Sequence, residues 1–137
     1  MANLFTSPED LSTDWVLTRA TIGQNSTTAP DGTMTADAVQ EDATAGNNHF
    51  IRQTTGPITG GITYCFSVFA KSANRDWIRL RDPNSTGAPN IYFDLANGLV
   101  GTGSNATGIV TDFGDGWYRC SMVSAVNGTS VGWQAFL

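Results

Sequence analysis

The feature that most constrains this chain is a two-residue hydrophobic period, repeated in short runs and broken each time by a turn. From Thr63 to Lys71, the side chains of Tyr64, Phe66, Val68 and Ala70 share one face, and those of Cys65, Ser67, Phe69 and Lys71 share the other. From Asp76 to Asp82, Ile78 and Leu80 oppose Trp77, Arg79 and Arg81. From Asn90 to Leu95, Ile91, Phe93 and Leu95 oppose Tyr92 and Asp94. From Trp117 to Val123, Tyr118, Cys120 and Met122 oppose Trp117, Arg119, Ser121 and Val123. Successive side chains of a strand point to opposite sides of the sheet, so this pattern predicts strands with one face buried.

Weaker strands are predicted over Trp15–Ile22, Ala36–Glu41, His49–Gln53, Gly108–Asp112 and Ser130–Phe136. Turn chemistry separates the runs: Pro30-Asp31-Gly32, Gly60-Gly61, Asp82-Pro83-Asn84, Asn97-Gly98, Asp115-Gly116 and Asn127-Gly128. Asn-Gly and Asp-Gly suit tight hairpins because both residues tolerate positive φ. No segment carries a helical period, although Ser7–Asp14 can hold one short turn with Ser7 as cap before Pro8. About ten short strands closed by turns predict an all-β fold, a two-sheet antiparallel β-sandwich. Jelly-roll topology is the commonest way to close that many strands. No internal repeat or linker divides the chain, so residues 1–137 read as a single domain. Phe66, Val68, Ile78, Leu80, Phe93 and Tyr118 form the predicted core, and Trp15, Trp117 and Trp133 read as core or rim residues.

Composition removes several function classes. The formal net charge is -5, and Lys71 is the only lysine. Phosphate backbones are bound by clustered Lys and Arg, so nucleic acid is not an expected partner. No run approaches the ~20 apolar residues needed to cross a bilayer as a helix. The start Met-Ala-Asn-Leu-Phe lacks the basic and long apolar parts of a signal peptide, so synthesis in a cytoplasm is expected. Cys65 and Cys120 are expected as free buried thiols in that compartment, while a bridge stays geometrically open if their strands are neighbours.

Catalytic lookalikes fail on context. Gly101-Thr-Gly-Ser-Asn-Ala106 mimics a dinucleotide-binding turn, but a strand-like Gly-Ile-Val-Thr follows where that turn needs a helix. Asp112-Phe113-Gly114 reads as turn chemistry. His49 is the only histidine, which removes most Ser-His and Cys-His nucleophile schemes. Asp37 with Glu41, or Asp112 with Asp115, can be paired on paper as glycosidase acids, yet nothing sets their separation. No enzyme activity and no cofactor are expected. A structural calcium ion held by acidic, Asn-rich loops stays open, with no ligands assignable.

The useful constellation is aromatic plus Arg. Trp77, Arg79 and Arg81 leave one face of a strand, and Tyr92 and Asp94 leave the non-core face of a strand able to lie beside it. Rings stack on the C–H faces of sugars, while Arg and Asp hydrogen-bond hydroxyls. The same residue types also favour contacts between protein subunits. A glycan groove, a protein interface and plain fold stability all remain open for these residues.

Several stretches, in order, resemble a family of jelly-roll, carbohydrate-binding-module-like domains of bacteriophage tail-fibre and head-fibre proteins. They are the opening stretch from Asn3 to Val39, Tyr64-Cys-Phe-Ser-Val-Phe-Ala-Lys71, Phe93-Asp-Leu with Gly98-Leu-Val, Gly114-Asp-Gly-Trp-Tyr-Arg-Cys-Ser121 and Val131-Gly-Trp-Gln-Ala135. The resemblance covers nearly the whole chain. It implies a non-catalytic virion structural protein on the particle surface: a capsid decoration, head-fibre or tail-fibre component. Implied partners are further copies of itself, a capsid or tail protein, and in the alternative reading glycans bound during attachment. The resemblance carries no catalytic residues and fixes no ligand site. Relatives usually continue past the closing strand, whereas this chain stops at Leu137. A small standalone virion protein explains that, with a fragment as the competing explanation.

Overall fold

A computed structural model describes residues 4–137; the first three residues, including Asn3 at the head of the opening motif, lie outside them. The described residues form strands and turns with no helix. Eleven strands run in chain order. They are β1 (Val16–Thr18), β2 (Ala20–Thr27), β3 (Ala36–Glu41), β4 (Phe50–Thr55), β5 (Ile62–Lys71) and β6 (Trp77–Arg81). Then follow β7 (Asn90–Asp94), β8 (Leu99–Ser104), β9 (Thr107–Asp112), β10 (Trp117–Val126) and β11 (Val131–Phe136).

The strands make a six-stranded sheet, β1-β4-β11-β6-β7-β8, a three-stranded sheet, β5-β10-β9, and a two-stranded β2-β3 pair. Every pairing is antiparallel. One core joins the two larger sheets. Phe66, Cys120 and Met122 come from the smaller sheet, and Leu80, Ile91, Phe93, Val131 and Trp133 from the larger. Two sheets that bury alternate residues against each other form a β-sandwich-like arrangement.

The period-two pattern explains which residues enter. Phe66, Leu80 and Phe93 of the predicted core are fully buried, and Val68, Ile78 and Tyr118 pack against them half-buried. Trp133 sits deep in the core with its ring 4.9 Å from Phe66. Phe5 from the leading segment adds a third ring, 5.4 Å from Phe66 and 5.3 Å from Trp15. Gln53 holds that segment in place. Its amide accepts from the Thr6 N–H at 2.8 Å and donates to the Thr6 carbonyl at 2.9 Å, much as a neighbouring strand would.

Three local expectations change. The strand predicted over Trp15–Ile22 splits at Arg19, whose φ of +49° breaks the extended run between β1 and β2. Ser7–Asp14 makes successive turns, closed by Asp10 N–H to Ser7 O and Thr13 N–H to Asp10 O, and the Ser7 hydroxyl donates to Asp14. Leu99–Ser104, where glycine is frequent and the alternation predicts no strand, forms β8, the second strand of the hairpin that the resemblance implies over Phe93-Asp-Leu and Gly98-Leu-Val.

The turns behave as their residues require. Asp115 and Gly116 both take positive φ, at 54° and 81°, between β9 and β10. Asp112, head of the Asp-Phe-Gly lookalike, accepts the Gly114 N–H at 2.8 Å in the same turn. Gly101 and Gly103 of the dinucleotide lookalike lie within β8.

Candidate functional site

The outer face of the six-stranded sheet carries the predicted constellation and extends it. Strand register fixes which side chains share that face, because directly opposed residues of an antiparallel pair point the same way. One row runs Phe50, Phe136, Arg79, Tyr92 across β4, β11, β6 and β7. The next row runs Arg52, Gln134, Arg81, Asn90. Trp77 stands opposite Asp94 at the end of β6.

Contacts within the first row are close. The Arg79 guanidinium carbon lies 4.0 Å from the Phe136 ring centre and 5.5 Å from that of Tyr92. Arg79 Nη1 also donates to the Tyr92 hydroxyl at 3.3 Å. Phe50 and Phe136 lie ring to ring at 4.7 Å. A cation between two aromatic rings gains from both quadrupoles and keeps its planar fork in one orientation.

Trp77 is about half exposed, at 47%, and Tyr92 is exposed at 38%. The Trp77 ring leans onto β8. A Cβ placed on Gly101 would lie only 2.7 Å from Trp77 Cζ3 and 3.2 Å from the Tyr92 Cβ. Glycine at position 101 therefore gives the ring its resting place. Trp77, Arg79, Tyr92 and Phe136 line an open depression of about 440 Å³, which Asn48 and Asn74 help to close. Arg75 and Leu137 border both this depression and a second one along the Glu41–Asn47 loop.

Of the five predicted site residues, Trp77, Arg79 and Tyr92 come together in the depression. Arg81 is on the same face, one row away, with a long hydrogen bond of 3.5 Å to Gln134 Oε1. Asp94 shares the face but is buried beneath it. Its carboxylate accepts the Asn97 side-chain amide at 2.8 Å and the Ala96 and Asn97 N–H groups. The Asn97 amide foremost, then these N–H groups, hold the Asp94 carboxyl below its usual range against the opposing effect of burial. The group builds the β7–β8 turn, so its carboxylate is turned to the fold and not outward with Trp77, Arg79 and Tyr92.

Phe136, Phe50, Arg52 and Gln134 are missing from the sequence-level site. They reach it from β11, which follows β6 late in the chain, and from β4, which precedes β6 and joins its face only through the sheet order β4-β11-β6. Gly101 left a readable signal, since glycine inside a strand marks a close approach.

Other candidate groups are tied into the fold. His49 is buried, with Nδ1 2.7 Å from the Arg19 carbonyl and Nε2 3.1 Å from the Thr44 carbonyl. Asp37 accepts the N–H groups of Leu11 and Asn25, both at 2.9 Å. Glu41 pairs with Arg75. Among the described residues, no three or more His, Cys, Asp or Glu gather as a metal site.

The outer face of the three-stranded sheet has a different character. Phe69 and Phe113 meet edge to face at 4.9 Å, and both are about half exposed. Ile109 is exposed, and Val123 and Cys65 oppose each other on the same face, with Lys71 and Arg119 among them. No family model and no curated protein matches this chain.

Proposed function

We propose that this chain is a non-catalytic structural protein of a bacteriophage particle, displayed on the virion surface as a capsid decoration, head-fibre or tail-fibre component. The phage assignment rests on the ordered motifs that resemble that family. The observation that carries the assembly role is the apolar outer face of β5-β10-β9, where Phe69, Phe113 and Ile109 are each about half exposed. Clustered apolar side chains on an outer face mark a contact surface. Copies of the chain dock through this face, and the opposite face of the sandwich is left outward.

The jelly-roll, carbohydrate-binding-module-like topology belongs to the same proposal. The order β1-β4-β11-β6, which sets early and late strands side by side, supports it.

A second reading is a glycan-binding adhesion module. The exposed Trp77 and Tyr92 rings beside Arg79 favour it, because flat aromatic groups at an open depression suit the C–H faces of a sugar.

The assembly role is tested by light scattering over a concentration series. Wild type is expected to associate reversibly. The double variant Phe69→Ser, Phe113→Ser should stay monomeric with an unchanged urea midpoint. A wild type that is monomeric at every concentration, or a variant that associates equally well, contradicts docking through this face.

A further inference from the structure

The acidic balance of the chain does not extend to the outer face of the six-stranded sheet. The protein carries 12 Asp and Glu against 7 Lys and Arg. Yet on this face Arg52, Arg79 and Arg81 stand in adjacent positions of β4 and β6, on either side of β11. Neither arginine row contains a carboxylate: Asp94, opposite Trp77, is spent on the β7–β8 turn, and Asp76, which also lines the depression, accepts the Ser72 hydroxyl at 2.6 Å.

Among the described residues, none of the three guanidiniums is paired with a carboxylate. Each makes a single hydrogen bond to a neutral side-chain acceptor: Arg52 to Asn84 at 3.1 Å, Arg79 to Tyr92 at 3.3 Å and Arg81 to Gln134 at 3.5 Å. A guanidinium offers five donors in a fixed fork that matches two anionic oxygens. Three such groups with donors to spare, on a protein with abundant carboxylates elsewhere, form a local field of the opposite sign. The field borders the Trp77–Tyr92 depression. The opposite face of the sandwich has Lys71 and Arg119, but there they flank the Phe69–Phe113 pair on an apolar surface.

We propose that this face binds an anionic saccharide, with the sugar ring against Trp77 and Tyr92 and its carboxylate or phosphate group on Arg79 and Arg81. This rests on the glycan-binding reading and adds the charge of the ligand. Phe136 and Tyr92 keep the Arg79 fork oriented, so a bound anion loses little side-chain freedom there. Arg52 lies one strand further out and extends the field along the β11 row.

Titration calorimetry with the whole chain tests the proposal. The probes are an oligogalacturonate, the same oligomer fully methyl-esterified, and a phosphomannan, which separates a carboxylate from a phosphate source. At least one of the two acidic saccharides should bind, and methyl esterification should weaken the galacturonate at least about tenfold if it is the one bound. Raising salt from about 0.05 to about 0.5 M should weaken binding, as screening requires. Arg79→Gln should lower affinity about tenfold or more, and Arg79→Lys should restore part of it by returning the charge. Thermal unfolding of both variants separates lost binding from lost fold, and Arg81→Gln, which leaves Arg79 between Phe136 and Tyr92, should also weaken binding of the acidic saccharide.

Equal binding of the acid and its methyl ester overturns the proposal and leaves the glycan-binding reading standing. Failure of both acidic saccharides, with binding of a neutral glycan, does the same. Failure of every saccharide overturns both.

Discussion

Cys65 and Cys120 lie on neighbouring strands and face opposite ways. β5 and β10 pair with Cys65 against Val123 and Cys120 against Val68, so one sulfur points outward and the other into the core. The geometric opening for a bridge therefore closes although the strands adjoin, and both thiols are free, but only Cys120 is buried as expected: Cys65, on the outward parity of β5, is exposed. Burial pushes the Cys120 thiol up to about 12, so essentially no thiolate exists there near neutral pH. Maleimide labelling at about pH 7.5 should modify Cys65 alone, with Cys120 reacting only after denaturation. Two equivalents in the native protein would contradict this placement. The sequence showed each cysteine's place in an alternation, and the opposite facing follows from that parity once β5 and β10 are paired in register. Arg79 teaches the same lesson at the candidate site. Its face was readable from Trp77-Ile-Arg-Leu-Arg81, whereas its closest ring, Phe136, arrives from the far end of the chain.

At the scale of elements, alternation within a strand was legible and pairing between strands was not. The long strands β5 and β10 carry the clearest pattern and fall where the pattern puts them. β8 was hidden from the alternation because glycines at 101 and 103 leave no side chain to alternate, and because its bulged register against β7 interrupts the period. The turn that joins β7 to β8 was legible, since Asn97-Gly98 is a hairpin signal. Gly98 has a φ of +65°, and a Cβ there would come 2.4 Å from Tyr118 Cε1. Both facts demand glycine. Gly98→Ala should lower stability by about 1–3 kcal/mol, combining left-handed strain with displacement of Tyr118. A urea melt checks this, and an unchanged midpoint would mean that the turn relaxes freely. Because Asp94 holds the same turn, the substitution should also disturb Trp77 opposite it, seen as a change in tryptophan emission.

At the scale of the whole molecule, the two outer faces differ in chemistry. One exposes Phe69, Phe113 and Ile109; the other exposes Trp77 and Tyr92 beside three arginines without carboxylate partners. A sandwich keeps these faces apart because its core fixes the two sheets back to back, with Trp133 and Phe66 in contact between them. An all-β chain with frequent turns was evident from periodicity alone. The two-faced character was not, since it depends on which strands become neighbours, and that is decided by the non-local packing of the core. The most direct test is hydroxyl-radical footprinting of the associated protein against the dilute monomer. The account predicts protection of Phe69 and Phe113 on association, with Trp77 and Tyr92 equally reactive in both states. Protection of Trp77 and Tyr92 with Phe69 and Phe113 unchanged would contradict it, and would make the aromatic–arginine face the docking surface.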